Sequence, residues 1–172
     1  MSDQQTLLDE LTSQDYDAAD KPFDFIEEGQ QTALLCEPDE PLKSKAQAQL
    51  QESGYLVRAA ATAQEALKQM RYHTFNVVII NETFDSPDPD ANAVLAYLAE
   101  LNMQVRRKIF VALVGTRFRT LDDMTAFNRS VNITINSENM GDIGTIIKRG
   151  VADNRAFYHV FRETMAQIAG RS

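Results

Sequence analysis

The sequence predicts a three-layer α/β fold, a parallel five-stranded sheet with helices on both faces. Three observations predict it. From residue 31 onward, short apolar runs alternate with stretches of helical periodicity, strand then helix, through five rounds. The runs are continuous rather than alternating: Asn76-Val77-Val78-Ile79-Ile80-Asn81 is apolar throughout and bounded by polar residues, the pattern of a strand buried on both faces. The connections are too short to return along the same face, which requires right-handed crossovers and parallel strands.

The first strand is Thr-Ala-Leu-Leu-Cys, residues 32–36. A helix over 41–52 follows, entered through Pro41 and closed by Gly54, the usual start and stop chemistry. Residues 55–59 are the second strand. Thr62-Ala63-Gln64-Glu65 is a capping box, so a helix runs over 63–72 and buries Ala66, Leu67 and Met70. The third strand is 76–81. A proline-rich acidic loop, 82–89, leads to a helix over 90–101 with Val94, Leu95, Leu98 and Leu101 on its apolar face. Residues 108–114 form the fourth strand, 121–128 a helix capped by Thr120, and 131–135 the fifth strand. Helical character then continues over 140–168, with Gly150 as an expected kink. For five such units the common arrangement is the flavodoxin-like (βα)5 sandwich with strand order 2-1-3-4-5. That order places a site at the carboxyl ends of strands one and three.

A chain of 172 residues suffices for one domain with a proper core plus an extension. At 44% hydrophobic and 24% charged it reads as a soluble globular protein. No apolar run approaches the roughly 18 residues of a membrane span. The acidic, polar start is neither a signal nor a transit peptide, so a cytoplasmic location is expected. The single cysteine, Cys36, fits a reducing compartment and an inert core role.

The net charge of -8 is unevenly distributed. Residues 1–30 carry nine acids against one base, Lys21, whereas 31–172 carry sixteen of each. The acidity thus belongs to an N-terminal arm, which would repel phosphates and speaks against nucleic-acid binding. The arm contains a candidate short helix over 6–11. It reads either as a partly disordered solvated tail or as a docking segment, with Phe23, Phe25 and Ile26 seated on a groove of this chain or of a partner. Three regions result: an arm over 1–30, a domain over 31–150 and a C-terminal helical extension over 151–172.

The carboxyl ends of the strands carry Cys36-Glu37-Pro38-Asp39-Glu40, Asn81-Glu82, Gly115-Thr116-Arg117-Phe118-Arg119 and Asn136-Ser137. Together with 34–42, 59–67 and 75–80, in this order and spacing, they closely resemble the receiver domain of bacterial response regulators. The resemblance covers about 31–150. It implies two acids after strand one for Mg²⁺, a phosphoryl-accepting aspartate ending strand three, a hydroxyl ending strand four and a lysine ending strand five. Here those positions hold Glu37, Pro38, Asn81, Gly115 (or Thr116, with a one-residue slip) and Asn136. A carboxamide is not an anionic nucleophile and forms no acyl phosphate. Glu37 alone makes a poor Mg²⁺ site, although Asp39 would help if the backbone shifted toward the metal position. Strand alternation aims Glu82 away from the acceptor position. The resemblance therefore implies a pseudo-receiver: no catalytic residue, no bound metal or cofactor, and a protein partner.

Arg117 and Arg119 read either as solvated loop residues or as an anion site, for a phosphate-containing ligand or for this chain's own acidic arm. Phosphorylation of another acid, Glu82 or Asp85, is a further alternative. His73 and His159 lie at no metal-ligand spacing, and His73 is placed at a helix end where a cation is favourable. Along the last segment Ile143, Ile147, Val151, Asn154, Phe157 or Tyr158, Phe161, Met165 and Ile168 form a near-heptad stripe. Its second half has no sheet left to cover. Phe157, Tyr158, Phe161, Met165 and Ile168 are thus expected either to fold back on the domain or to form a homodimer interface. The expected activity is that of a non-catalytic, phosphorylation-independent interaction module in bacterial signalling, with no nucleic-acid or membrane partner.

Overall fold

The structure, a computed structural model, describes residues 26–170. The candidate helix over 6–11 and the docking residues Phe23 and Phe25 lie outside them; Ile26 is half-buried. The elements are β1 (Thr32–Cys36), α1 (Glu40–Glu52), β2 (Leu56–Ala59), α2 (Ala63–Tyr72), β3 (Val77–Asn81), α3 (Ala93–Glu100), the single turn α4 (Met103–Arg106), β4 (Phe110–Gly115), α5 (Asp123–Asn128), β5 (Ile133–Asn136), α6 (Ile143–Phe157) and α7 (His159–Ala169). All strand pairs are parallel and the order is β2-β1-β3-β4-β5, the flavodoxin-like arrangement.

Alternate side chains of the central strands feed two cores. Leu34, Val78, Ile80, Val111 and Leu113 pack with Leu67, Met70, Val94 and Leu98 of α2 and α3. Ala33, Leu35, Ile79, Ala112 and Val114 pack with Leu50 of α1 and Ile143 and Ile147 of α6. Both faces of β1, β3 and β4 are therefore buried, which is why their sequences are continuously apolar.

Local chemistry fixes the helix starts. Asp39 caps α1 by accepting the Leu42 N–H at 3.0 Å, and Gly54, at φ +90°, ends that unit. Thr62 caps α2 through the Glu65 N–H, while Glu65 returns a bond to the Ala61 N–H. Two starts differ from the sequence reading. The helix expected over 90–101 begins at Ala93, after a 3-10 turn over Pro89–Ala91, because Asn92 accepts the Val94 and Leu95 N–H groups. The helix expected over 121–128 begins at Asp123, because Leu121 stands at φ +59° and Asp122 caps the Thr125 N–H. Thr120, the expected cap, instead accepts the Asn136 N–H at 2.9 Å.

The long final segment is a 3-10 turn over Ser137–Asp142, then α6 and α7, joined at Tyr158 with φ -90° and ψ 6°. The bend thus falls at Tyr158 and not at Gly150. Gly150 is buried inside α6, where an added Cβ would stand 2.7 Å from Cζ of Phe110, so its role is close packing on the sheet. Helix α7 buries none of its residues, and its contact with the domain is at the edge, where Arg107 lies over the Phe161 ring.

His73 ends α2 as expected, its N–H bonded to the Gln69 carbonyl at 3.0 Å, but its charge departs from expectation. Its backbone is extended, its Nε2 lies 2.8 Å from the Thr32 hydroxyl, and its ring meets Phe75 edge-on. Burial holds its pKa below the ordinary value, favouring the neutral ring over the expected cation. Burial likewise pushes the Cys36 thiol up, away from reactivity. Among the described residues no helix is long and apolar enough to cross a membrane.

Candidate functional site

Two hydrogen-bonded groups fill the carboxyl edge of the central strands. The first joins β1 to β3. Glu37 follows β1 and is 1% exposed; Asn81 ends β3 and is 8% exposed. The Asn81 Nδ2 donates to Glu37 Oε1 at 3.1 Å and to Oε2 at 3.0 Å. The Asn81 Oδ1 accepts from the Thr83 N–H at 3.0 Å and the Thr83 hydroxyl at 2.9 Å. Glu37 Oε1 also accepts the Asp39 N–H at 3.0 Å. Burial pushes the Glu37 carboxyl above its ordinary value, opposed by the bonds from Asn81 and from the Asp39 backbone.

The second group runs from β3 to β4. Glu82 is 3% exposed, and its Oε2 accepts from Arg117 Nε at 2.8 Å and Nη2 at 2.6 Å. Arg117 also reaches Asp90 at 3.1 Å, and Asp90 receives Arg129 at 2.7 Å. Hydrogen bonds from Arg129 and Arg117 hold the Asp90 carboxyl below its usual range, and the bond to Glu82 raises the Arg117 pKa. Glu82 lies over Gly115. A Cβ there would meet its Oε1 at 2.4 Å and the Phe118 ring at 2.7 Å. Beneath both groups Asn92 is buried, its Nδ2 donating to the carbonyls of Asn81, Glu82 and Phe84 at 3.3–3.4 Å.

The structure brings Glu37 and Asn81 into contact and sets Gly115 beside Asn136 in the β4–β5 register. Asn136 does not reach Asn81. Its Nδ2 donates to the carbonyls of Phe118 at 2.7 Å and Thr116 at 3.4 Å, and its Oδ1 accepts the Glu138 N–H. Thr116 and Pro38 are exposed. Arg117 and Arg119 do not act as a pair: Arg117 is held by Glu82 and Asp90, while Arg119 is exposed and makes no ion pair with any described residue. Asp85, at φ +47°, accepts the Ala63 N–H at 2.7 Å, so its carboxylate holds the start of α2.

The residues do not fit the Mg²⁺ that the receiver resemblance implies. Both Glu37 oxygens face an amide donor, Pro38 has no side-chain oxygen, and Asp39 is occupied as a helix cap. Sequence reasoning missed Thr83, Asp90, Asn92 and Arg129. Asn92, directly before an apolar helix, carries a readable cap signal. Asp90 and Arg129 are 39 residues apart and give no local sign of meeting.

No protein-family model matches the sequence, and no curated protein sequence does. Solved structures do match. A receiver domain protein (CheY-like) from Methanospirillum hungatei aligns with TM-score 0.56 at 20% identity, over 73% of this chain and 97% of its own. A DNA-binding response regulator of the LuxR family from Staphylococcus aureus aligns with TM-score 0.54 at 17% identity, over 70% and 98%. An orphan response regulator of H. pylori aligns with TM-score 0.55 at 15% identity, over 73% and 99%. At these identities the likeness is one of fold: the chain has the flavodoxin-like fold of response regulator receiver domains, with Glu37, Asn81, Gly115 and Asn136 at its carboxyl edge.

Proposed function

We propose that the chain is a non-catalytic pseudo-receiver, a protein-interaction module of bacterial signalling that works without phosphorylation and dimerises through its C-terminal helix. The observation that carries this reading is the closed bond between Asn81 and Glu37. A phosphoryl acceptor must present an anionic oxygen to solvent and to a metal. Here the acceptor position holds a neutral amide whose donors are spent on the neighbouring carboxylate. Glu82, the adjacent carboxylate, is neutralised by Arg117. The edge is built as a hydrogen-bonded seam.

A module without chemistry acts through its surface, and α7 supplies one. On α7, Phe161, Met165 and Ile168 are 41%, 51% and 59% exposed and Val160 is 71% exposed; Phe157, at the end of α6, is 79% exposed. A run of large apolar side chains on one helix marks an interaction face, and a second copy of the same helix is the simplest cover. Light scattering on the full chain tests this: a dimer is expected, converted to monomer by Phe161→Glu with Met165→Glu. A monomeric wild-type chain at concentrations well above micromolar contradicts the dimer.

A further inference from the structure

At the opposite end of the sheet, beneath the amino ends of the strands, four cations converge. A groove of about 360 Å³ is lined by Gln31, Tyr55, Arg107, Lys108, Arg155 and Arg162, among others. Arg107, Lys108 and Arg162 also line an adjoining groove of about 540 Å³, whose remaining wall is Gln104, Tyr158, Phe161 and Met165. The two grooves share three cations and form one channel, basic at one end and apolar at the other. None of Arg107, Lys108, Arg155 and Arg162 makes an ion pair with a described residue. Arg107 lies over the Phe161 ring at 4.6 Å, a contact that leaves its charge uncompensated by any anion. Like charges gathered along one channel repel one another, and a counter-anion that fits the channel relieves that cost.

The chain carries such an anion. Residues 1–25 hold seven acids against Lys21 and end in Pro22-Phe23-Asp24-Phe25, acids followed by two large apolar side chains. The segment enters the described structure at Ile26, and Gln31, five residues on, lines the channel itself. From Ile26, seven extended residues span about 23 Å at ~3.3 Å each, so residue 19 can lie along the channel that Gln31 lines. Attachment at the channel makes the encounter intramolecular, with a high effective concentration.

We infer that the acidic segment of residues 1–25 docks along this channel of its own chain, its carboxylates on Arg107, Lys108, Arg155 and Arg162 and its phenylalanines toward Tyr158 at the apolar end. The docking place is the amino edge of the sheet and not Arg117, which Glu82 and Asp90 already occupy.

The test is paramagnetic broadening in the full-length chain. Cys36 is fully buried, so a nitroxide on Ala19→Cys labels one site. Loss of amide intensity is expected at Gln104, Phe161 and Arg162. It should recover in ~1 M sodium chloride, where the screening length falls to about 3 Å, and in R107E/R155E/R162E. Full intensity at low salt in the labelled wild-type chain overturns the proposal, as does broadening that survives both treatments. Both samples are held at a concentration where light scattering shows monomer. There, isotope-labelled chain without nitroxide, mixed with nitroxide-labelled chain, should show no broadening; broadening in that mixture places the segment on a second copy and contradicts docking within one chain.

Discussion

The amide of Asn81 spans the carboxylate of Glu37, donating to one oxygen at 3.1 Å and to the other at 3.0 Å across the β1–β3 seam. Both side chains are buried, and the remaining Asn81 oxygen is taken by Thr83. A buried carboxylate of this kind rests on its donors.

The seam has a pH signature. Burial holds the folded-state pKa of Glu37 above its ordinary value, so between the unfolded and folded pKa values the native state binds more protons. Stability from this group therefore increases as pH falls through the raised pKa and is fully present below the unfolded value near 4.3. The melting temperature of the wild-type chain should improve relative to Glu37→Gln between pH 7 and about 4.5, measured in parallel by circular dichroism. A difference that is flat with pH contradicts the burial argument.

Gly115 and Glu82 compete for one volume. A methyl at 115 would stand 2.4 Å from Glu82 Oε1 and 2.7 Å from the Phe118 ring. Gly115→Ala should cost about 1–3 kcal/mol by overpacking, with part recovered in Gly115→Ala/Glu82→Ala, measured by urea unfolding. The same geometry explains why a hydroxyl residue at 115 does not fit without displacing Glu82.

Arg117 neutralises that same Glu82 from a position 44% exposed, whereas the Glu82 side chain is 4% exposed. Arg117→Met leaves the buried carboxylate unpaired. A measurable loss of stability is expected, smaller than that of a fully buried pair because solvent reaches the arginine. Glu82→Gln in that background should restore part of it. A variant as stable as wild type would mean that Glu82 is adequately hydrated.

Gly150→Ala distinguishes packing from bending. If the glycine served a kink, alanine would be neutral or stabilising through helix propensity. With Phe110 Cζ 2.7 Å from the new Cβ, unfolding should instead occur about 1–3 kcal/mol earlier.

The sheet was legible in the sequence because burial on both faces leaves a one-dimensional record: Val77–Ile80 and Phe110–Val114 are continuously apolar. Helix α2 was legible for a similar reason, its capping box lying within four residues. The positions at the carboxyl edge could be identified, but not their bonding. That Glu37 and Asn81 face each other follows from strand order. That Glu82 turns to Arg117 and Arg117 to Asp90 depends on loops whose contacts span 35 and 27 residues. Leu121 at positive φ moved one helix start, and no glycine announced it. The stripe of the last segment was continuous in sequence, yet the structure divides it at Tyr158, with Ile143 and Ile147 in the core and Phe161, Met165 and Ile168 in solvent.

The central claim is that the edge around Asn81 does not carry phosphoryl groups. The direct measurement is the intact mass of the full chain after incubation with acetyl phosphate and Mg²⁺, beside Asn81→Asp under the same conditions. No added phosphoryl is expected on the wild-type chain. None is expected on Asn81→Asp either, because Pro38 supplies no metal ligand and Asp39 is committed to capping α1. A mass gain of one phosphoryl group on the wild-type chain would contradict phosphorylation independence. A gain on Asn81→Asp alone would show that Glu37 suffices to hold the metal.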